Sequence, residues 1–265
     1  MALAIPFVSG LIIGSFLNVV GLRWNSGVPL SGRSGCPHCG KKLVWYELIP
    51  ILSFLFLRGR CSQCHSKISF QYPLIEILTG LVFVTIFNFQ FSIFKEFSLE
   101  FIVYCLLFIV ISSIYIVILI YDFHHKIIPD SLVYSAIIVA LIFRITTYYL
   151  LPATYFWDFL AGPIIFLFFA LIWLFSRGRA MGFGDAKLGL SIGLLLGARA
   201  GFSAIILAFW IGASVMLLVM FFSSCFGLFN KDKKLTMKSE IPFAPFMILG
   251  AWISLIYELN LLQIL

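Results

Sequence analysis

The chain has 265 residues, of which 62% are hydrophobic and only 11% are charged, and its formal net charge is +7. Soluble domains carry about a quarter charged residues, so this composition excludes an ordinary soluble enzyme. The apolar residues form long continuous runs rather than an alternating pattern. Such runs indicate membrane-spanning helices and argue against a β-barrel.

Eight apolar runs are candidates for membrane-spanning helices. We therefore predict an all-α, polytopic integral membrane protein with about eight transmembrane helices. The first run lacks a basic leading segment and a clear cleavage site, so we expect it to stay in the mature protein rather than act as a signal peptide. The predicted spans are residues 2–23, 72–93, 99–121, 131–150, 156–176, 185–199, 202–228 and 241–262.

The sixth run is the shortest and contains a glycine at every fourth position: Gly189, Gly193 and Gly197. In a helix these three glycines would share one face, and such a face permits close packing on a neighbouring helix. The other interpretation is that glycine is simply frequent in membrane helices.

Positive charge is distributed unevenly between the loops. If the N-terminus lies outside, fourteen Lys and Arg residues fall inside and only Lys95 and Arg199 fall outside, with Arg23 and Arg144 set aside because they lie within the predicted spans. The positive-inside rule then predicts that residues 25–71 lie in the cytoplasm. This orientation accounts for the net positive charge, so we expect membrane lipid as a partner and no nucleic acid.

Two C-x2-C pairs, Cys36 with Cys39 and Cys61 with Cys64, lie in the loop 25–71. Two such knuckles can place four thiolates around one tetrahedral Zn²⁺, as in a zinc ribbon. A redox dithiol and two disulfides are the alternatives, and a reducing cytoplasm argues against both. A site closed by four cysteines leaves no coordination position open, so we predict a structural zinc.

Acidic side chains at membrane depth are costly, and they are functional candidates for that reason. Asp122 ends the third apolar run, and Asp185 ends the sequence Gly-Phe-Gly-Asp at the start of the sixth. The predicted topology places both at the cytoplasmic end of the membrane. Two carboxylates a few ångströms apart can share one proton, so that one activates water while the other hydrogen-bonds a scissile carbonyl.

Two further acids have plausible structural roles. Asp130 follows Pro129 in an ordinary N-cap position, and we favour that structural role for it. Glu76 lies one turn into the second span after Pro73, where the helix dipole favours an acid. For Glu76 the structural and functional interpretations are evenly balanced.

Taken in order, these motifs resemble the type IV prepilin peptidases, a family of GxGD aspartyl proteases. The resemblance covers nearly the whole chain, and Ala244 stands where the family usually has glycine. The matching blocks are Gly14-Ser15-Phe16-Leu17-Asn18, Arg33-Ser34, Ile49-Pro50, Arg58-Gly59-Arg60-Cys61, Tyr72-Pro73-Leu74-Ile75-Glu76, Asp122 with Pro129-Asp130, Gly182-Phe183-Gly184-Asp185-Ala186-Lys187 and Ile241-Pro242-Phe243-Ala244-Pro245-Phe246.

The resemblance implies that Asp122 and Asp185 are the catalytic pair of an aspartic endopeptidase, supported by Gly182, Gly184 and Lys187. It implies prepilin or pseudopilin substrates, cut after a glycine at the cytoplasmic face of a bacterial inner membrane. Many relatives also methylate the new N-terminus with S-adenosylmethionine, and those that do generally carry the long cysteine loop. Glu76 is a candidate contact for the basic leader peptide.

On this basis we divide the chain into a first transmembrane helix (residues 1–24), a cytoplasmic zinc-binding loop (25–71) and a seven-helix membrane protease core (72–265). Two other functions are compatible with paired membrane acids or a zinc loop: a transporter or proton channel, and a non-catalytic membrane scaffold. A transporter would place its acids near the bilayer midplane, whereas this chain has both at one end.

Overall fold

The structure is a computed structural model that describes residues 3–27, 29–94, 98–150, 156–226 and 242–257. Apart from two isolated bridges, the residues in these ranges form helices, turns and loops. The helices are α1 (Ala4–Arg23), α2 (Leu52–Phe56), α3 (Gln71–Phe94), α4 (Leu99–His125), α5 (Asp130–Leu150), α6 (Trp157–Ser176), α7 (Phe183–Phe226) and α8 (Ala244–Ile256), with a 3-10 turn at Trp45–Leu48.

Six of these helices are long and apolar enough to cross a membrane: α1, α3, α4, α5, α6 and α7. The prediction of an all-helical membrane protein is therefore confirmed. The predicted sixth and seventh spans correspond to the two halves of α7, which are helices that meet at a break at Gly197, where φ is +79° and ψ is −171°; residues 227 and 228 of the seventh span lie outside the described residues. The eighth predicted span corresponds to α8, and its residues 241 and 258–262 lie outside the described residues.

The first of two compact units comprises residues 1–121. Within it α1 runs antiparallel to α3, because Gly10 meets Gly80 whereas Gly14 meets Glu76. A Cβ added at Gly10 would lie 2.7 Å from the Gly80 Cα atom, so only glycine permits this approach. Close packing of the two helices fixes the ends from which the cysteine loop emerges.

The second unit comprises residues 122–265, in which α5, α6 and α8 all pack against α7. The predicted glycine face is confirmed at two positions: Gly189 meets Ile165 and Phe169 of α6, and Gly193 meets the backbone of Gly162. This contact places the first half of α7, which begins just before Asp185, firmly against α6.

The interruption of α7 at Gly197 is held by side chains from two other helices. Arg144 of α5 donates to the carbonyl oxygens of Leu194 and Leu195, at 2.8 and 2.9 Å. The Asp158 carboxylate accepts a hydrogen bond from the backbone N–H of Ala198 at 2.9 Å. These bonds satisfy buried backbone groups that the break would otherwise leave unpaired.

Candidate active site and metal centre

Asp122 lies in the last turn of α4 and is 4% exposed. The helix ends just after it, where Lys126 adopts a left-handed φ of 55° and its N–H bonds the Asp122 carbonyl oxygen. The backbone N–H of Ala244, the first residue of α8, donates to the Asp122 carboxylate. The sequence offered no capping role for Asp122, but its carboxylate faces the N-terminus of α8, where the helix dipole favours a negative charge.

Asp185 lies in the first turn of α7 and is 8% exposed. Its backbone N–H bonds the carbonyl oxygen of Gly182, and its carboxylate also accepts a hydrogen bond from the Gly182 backbone. A Cβ added at Gly184 would lie 2.9 Å from the Cβ of Ile128. The glycines of the Gly-Phe-Gly-Asp sequence therefore let the backbone fold tightly around the carboxylate.

Asp122 and Asp185 both lie in the second unit, close enough for the charge of Asp122 to act on Asp185. Within the described part of the chain, Oδ2 of Asp122 accepts no hydrogen bond. Two buried carboxylates with an unsatisfied oxygen can bind a water molecule and exchange a proton with it. That arrangement is suited to general acid–base chemistry.

Asp130 has different surroundings. It is the first residue of α5, and its side chain accepts a hydrogen bond from Lys187 at 2.6 Å. The Lys187 ammonium group also lies over the rings of Tyr134 and Phe183, at 4.8 and 5.3 Å from their centroids. Lys187 therefore ties the start of α7 to α5, and Asp130 is an ion-paired acid rather than a third member of the carboxylate pair.

The four knuckle cysteines, Cys36, Cys39, Cys61 and Cys64, are free cysteines whose sulfur atoms all lie within 4.8 Å of one another. Two of the sulfur–sulfur distances are 3.7 and 3.9 Å. A tetrahedral ion with bonds of about 2.3 Å would place its sulfur ligands about 3.8 Å apart, so the geometry fits a metal of this kind. The prediction that these residues form one cluster that can bind a metal is confirmed.

The two knuckles are built in the same way. In each knuckle, the backbone N–H of the first cysteine donates to the carbonyl oxygen of the residue five positions later in the chain. The carbonyl oxygen of the same cysteine accepts the N–H of the residue four positions later. Backbone N–H groups of Cys39 and His38 lower the pKa of Cys36 to about 6. The thiolate form that a metal ion requires is thus favoured at Cys36 before any metal binds, whereas burial and the neighbouring thiols raise the pKa of Cys39 to about 11.

A cluster that the sequence did not predict braces the two knuckles. Lys41, beside the first knuckle, donates to Glu47 at 2.8 Å and to Ser62 of the second knuckle at 2.6 Å, and Ser62 also donates to Glu47. Bonds from Lys41, Ser62 and the Val44 N–H lower the pKa of Glu47 to about 2. The available signal was that Glu47 is the one acid in the sequence of loop 25–71.

Glu76 is a buried residue of α3 in the first unit. Its Oε2 accepts the backbone N–H of Ile51 at 2.8 Å, and Ser15 of α1 also bonds its side chain. The structure therefore gives Glu76 a structural role. Its contact with a substrate leader stays a prediction.

Two family models match the chain. The bacterial peptidase A24 N-terminal domain matches residues 8–89, which include the four cysteines, and the type IV leader peptidase family matches residues 109–230, which include both acids of the pair. No solved structure matches the chain.

Several similar proteins have names that describe the processing of prepilin leader peptides. A prepilin leader peptidase/N-methyltransferase of Bacillus subtilis (strain 168) is 33% identical over 96% of this chain and 94% of its own length. One of Myxococcus xanthus (strain DK1622) is 36% identical over 81% of this chain and 62% of its own length. An Escherichia coli protein named type 4 prepilin-like proteins leader peptide-processing enzyme is 29% identical over 92% of this chain and 89% of its own length. The chain therefore belongs to the type IV leader peptidase family.

Proposed function

We propose that this chain is an aspartic endopeptidase that removes the leader peptide of type IV prepilins or pseudopilins, with Asp122 and Asp185 as its catalytic pair. One observation carries the assignment of the pair. Asp122 and Asp185 are both buried and lie within electrostatic range of each other, whereas Asp130, the other acid near the start of α7, is paired with Lys187.

In this mechanism one carboxylate of the pair is ionised and removes a proton from a water molecule, which attacks the scissile carbonyl carbon. The other carboxylate is protonated and donates to the carbonyl oxygen, which stabilises the tetrahedral intermediate. A proton then passes to the leaving nitrogen as the peptide bond breaks. Gly182 leaves room beside Asp185 for an extended substrate backbone, Gly184 lets Ile128 pack closely against the start of α7, and Lys187 holds that start in place.

The substrate follows from the position of the pair at helix ends. A prepilin would place its apolar helix in the membrane and its short basic leader in the cytoplasm, with the scissile bond at the junction between them. A glycine before that bond would help the backbone to extend there. The charge pattern of the loops supports a cytoplasmic leader in a bacterial inner membrane, with the N-terminus of this chain outside and Glu76 as a candidate contact for the leader.

The four knuckle cysteines would hold one structural Zn²⁺, since four thiolates are a preferred zinc ligand set and the sulfur spacing fits. The names of the relatives support a second activity, N-methylation of the new N-terminus, in which S-adenosylmethionine supplies the methyl group. The first unit has a cavity of about 450 Å³ between the cysteine loop and the ends of α1 and α3. That volume is in the range of small-molecule sites.

The three-part organisation (residues 1–24, 25–71 and 72–265) belongs to the same proposal. The first helix and the loop would form the part that carries the metal, and the remaining residues would form the protease core. Membrane lipid would surround the spans, and no nucleic acid would be bound.

A cleavage assay with purified protein and a leader-bearing peptide tests the proposed activity. We expect Asp122→Asn and Asp185→Asn to abolish cleavage while the protein still inserts and folds. Glu100→Gln, an exposed acid at the other end of α4, is the matched control and should retain cleavage. A transporter or a scaffold would give no cleavage with any variant. If Asp130→Asn abolished cleavage and Asp122→Asn did not, the assignment of the pair would be wrong.

A further inference from the structure

The loop between the two knuckles contains a largely apolar stretch with a single charged residue, which the cysteine site does not use. Residues 45–57, here called the inter-knuckle segment, comprise the 3-10 turn, α2 and their connections. Trp45 and Phe56 are 76% and 83% exposed, and Leu52 and Leu55 are also exposed. The two aromatic side chains alone leave about 300 Å² accessible, at roughly 200 Å² each. Soluble proteins rarely leave much larger apolar patches uncovered.

This segment lies alongside a membrane span rather than beyond its end. A cavity of about 620 Å³ is lined by Trp45, Leu48 and Leu52 of the segment and by Val8, Ile12 and Ser15 of α1, among others. Helix α1 ends at Arg23. At 1.5 Å per residue, Ser15 lies about 12 Å and Ile12 about 16 Å from that end. The segment therefore reaches the level of the hydrocarbon core that α1 crosses.

An independent contact gives a similar depth. The N–H of Ile51 donates to the Glu76 carboxylate at 2.8 Å, and Glu76 lies about 8 Å from Gln71, the first residue of α3. Ile51 has a φ of 60°, which a β-branched residue rarely adopts. The Glu76 bond holds the segment in this conformation, against the wall formed by α1 and α3.

The polar groups of the segment are largely satisfied internally. Six backbone N–H groups between Leu52 and Gly59 donate to carbonyl oxygens of the segment, as in Ser53 to Ile49 and Leu55 to Ile51. Pro50 has no N–H to satisfy. Glu47, the one charged residue of the segment, is buried against Lys41 and Ser62. Non-helical backbone at membrane depth is tolerated only where protein covers its polar groups, and the turn at Ile51 meets this condition because its N–H is bonded to Glu76 of α3.

The flanking charges mark where the segment would enter and leave a membrane surface. Lys41 and Lys42 precede it, and Arg58 and Arg60 follow it directly. Lys and Arg at both ends are suited to lipid headgroups, and both ends belong to knuckles on the same side. The exposed face between them is continuous with Val8 and Ile12, which are exposed on α1.

From the shared cavity and the Glu76 contact together, we propose that the inter-knuckle segment is a re-entrant membrane segment. Lipid acyl chains cover Trp45, Leu52, Leu55 and Phe56 and fill the cavity against α1. Glu76 is its positioning residue, because its carboxylate accepts the Ile51 N–H at the deepest turn. The metal centre is then seated on the membrane surface by the chain between its own knuckles.

Fluorescence quenching of a single added tryptophan tests this placement without reference to catalysis. Phe56→Trp and Leu30→Trp each add one tryptophan to the six of the parent chain at an exposed apolar position, and Leu30 lies beyond the end of α1. The full-length proteins are placed in bilayers with or without lipid brominated in mid-chain, and the emission of the parent is subtracted. We expect brominated lipid to quench the added emission of Phe56→Trp at least twofold more than that of Leu30→Trp. Aqueous iodide should quench the two in the opposite order.

Equal access of iodide to both positions would place the segment in water and overturn the proposal. Protection of position 56 from both quenchers would also overturn it, since protein rather than lipid would then cover the face. Within the Phe56→Trp protein, Glu76→Gln keeps an acceptor oxygen and should keep the quenching by brominated lipid. Glu76→Leu should lower the quenching by brominated lipid and raise the quenching by iodide. Unchanged quenching in Glu76→Leu would refute the positioning role of Glu76.

Discussion

The contact between α6 and α7 predicts a large effect from one methyl group. In Gly193→Ala the new Cβ would lie 2.7 Å from the Cα and 2.8 Å from the N of Gly162, and 2.9 Å from the carbonyl carbon of Ala161. Ordinary van der Waals contact begins at 3.4 Å, and backbone atoms cannot rotate away, so the helices must move apart by about 0.7 Å. A gap of that size forfeits a quarter to a half of the dispersion energy across the contact.

Overpacking of this kind costs about 1–3 kcal/mol, and the rigid backbone contact places Gly193→Ala near the upper end. The higher helix propensity of alanine returns about 1 kcal/mol, so we expect a net loss of about 2 kcal/mol in the free energy of unfolding. Thermal unfolding of the purified protein in detergent should show a midpoint lower by roughly 5 °C.

Gly212→Ala is the matched control, because it makes the same change in the other half of α7 with room for the methyl group. Its Cβ would lie 3.4 Å from the nearest atom of Phe246, which is ordinary contact. We expect this variant to be neutral or up to about 1 kcal/mol more stable. Equal midpoints for Gly193→Ala and Gly212→Ala would show that α6 and α7 are not in backbone contact.

Three further predictions follow from the cysteine loop. Elemental analysis should find one Zn²⁺ per chain, and a metal-free preparation with full activity and stability would contradict the zinc site. The pKa of Glu47 is about 2 rather than 4.5, so its stabilising contribution is complete above about pH 4.5 and is lost as the pH falls towards 2. Glu47→Gln should remove this part of the acid sensitivity of unfolding, whereas Glu100→Gln should not, and identical acid profiles for Glu47→Gln and wild type would count against the buried ion pair. With S-adenosylmethionine present, mass spectrometry should show one added methyl group on the new N-terminus of the substrate, and an unmodified product would limit the chain to proteolysis.

Much of the fold could be predicted because it depends on patterns local in sequence. Long apolar runs predict spans, and the glycine spacing in residues 185–199 predicted the close contact of Gly189 and Gly193 with α6. The C-x2-C spacing likewise predicted the cysteine cluster. Each of these signals is contained in one stretch of chain.

The features that were missed depend on partners distant in sequence. The break near Gly197 was predicted, but the sequence did not show that Arg144 and Asp158 bind the backbone groups that it frees. Asp122 gave no sign of capping α8, since Ala244 is far along the chain. The inter-knuckle segment is too short for a span, and only its contact with α1 and Glu76 reveals its depth.

The position of the cut in a native prepilin substrate tests the central claim most directly. Mass spectrometry of the products from wild-type protein should show a single cleavage, between a glycine and the first residue of the apolar helix, and none with Asp185→Asn. A bond at that junction is the one that a carboxylate pair at the helix ends can reach. Cleavage deep within the apolar run of the substrate, or at its opposite end, would contradict both the predicted topology and the assignment of the pair.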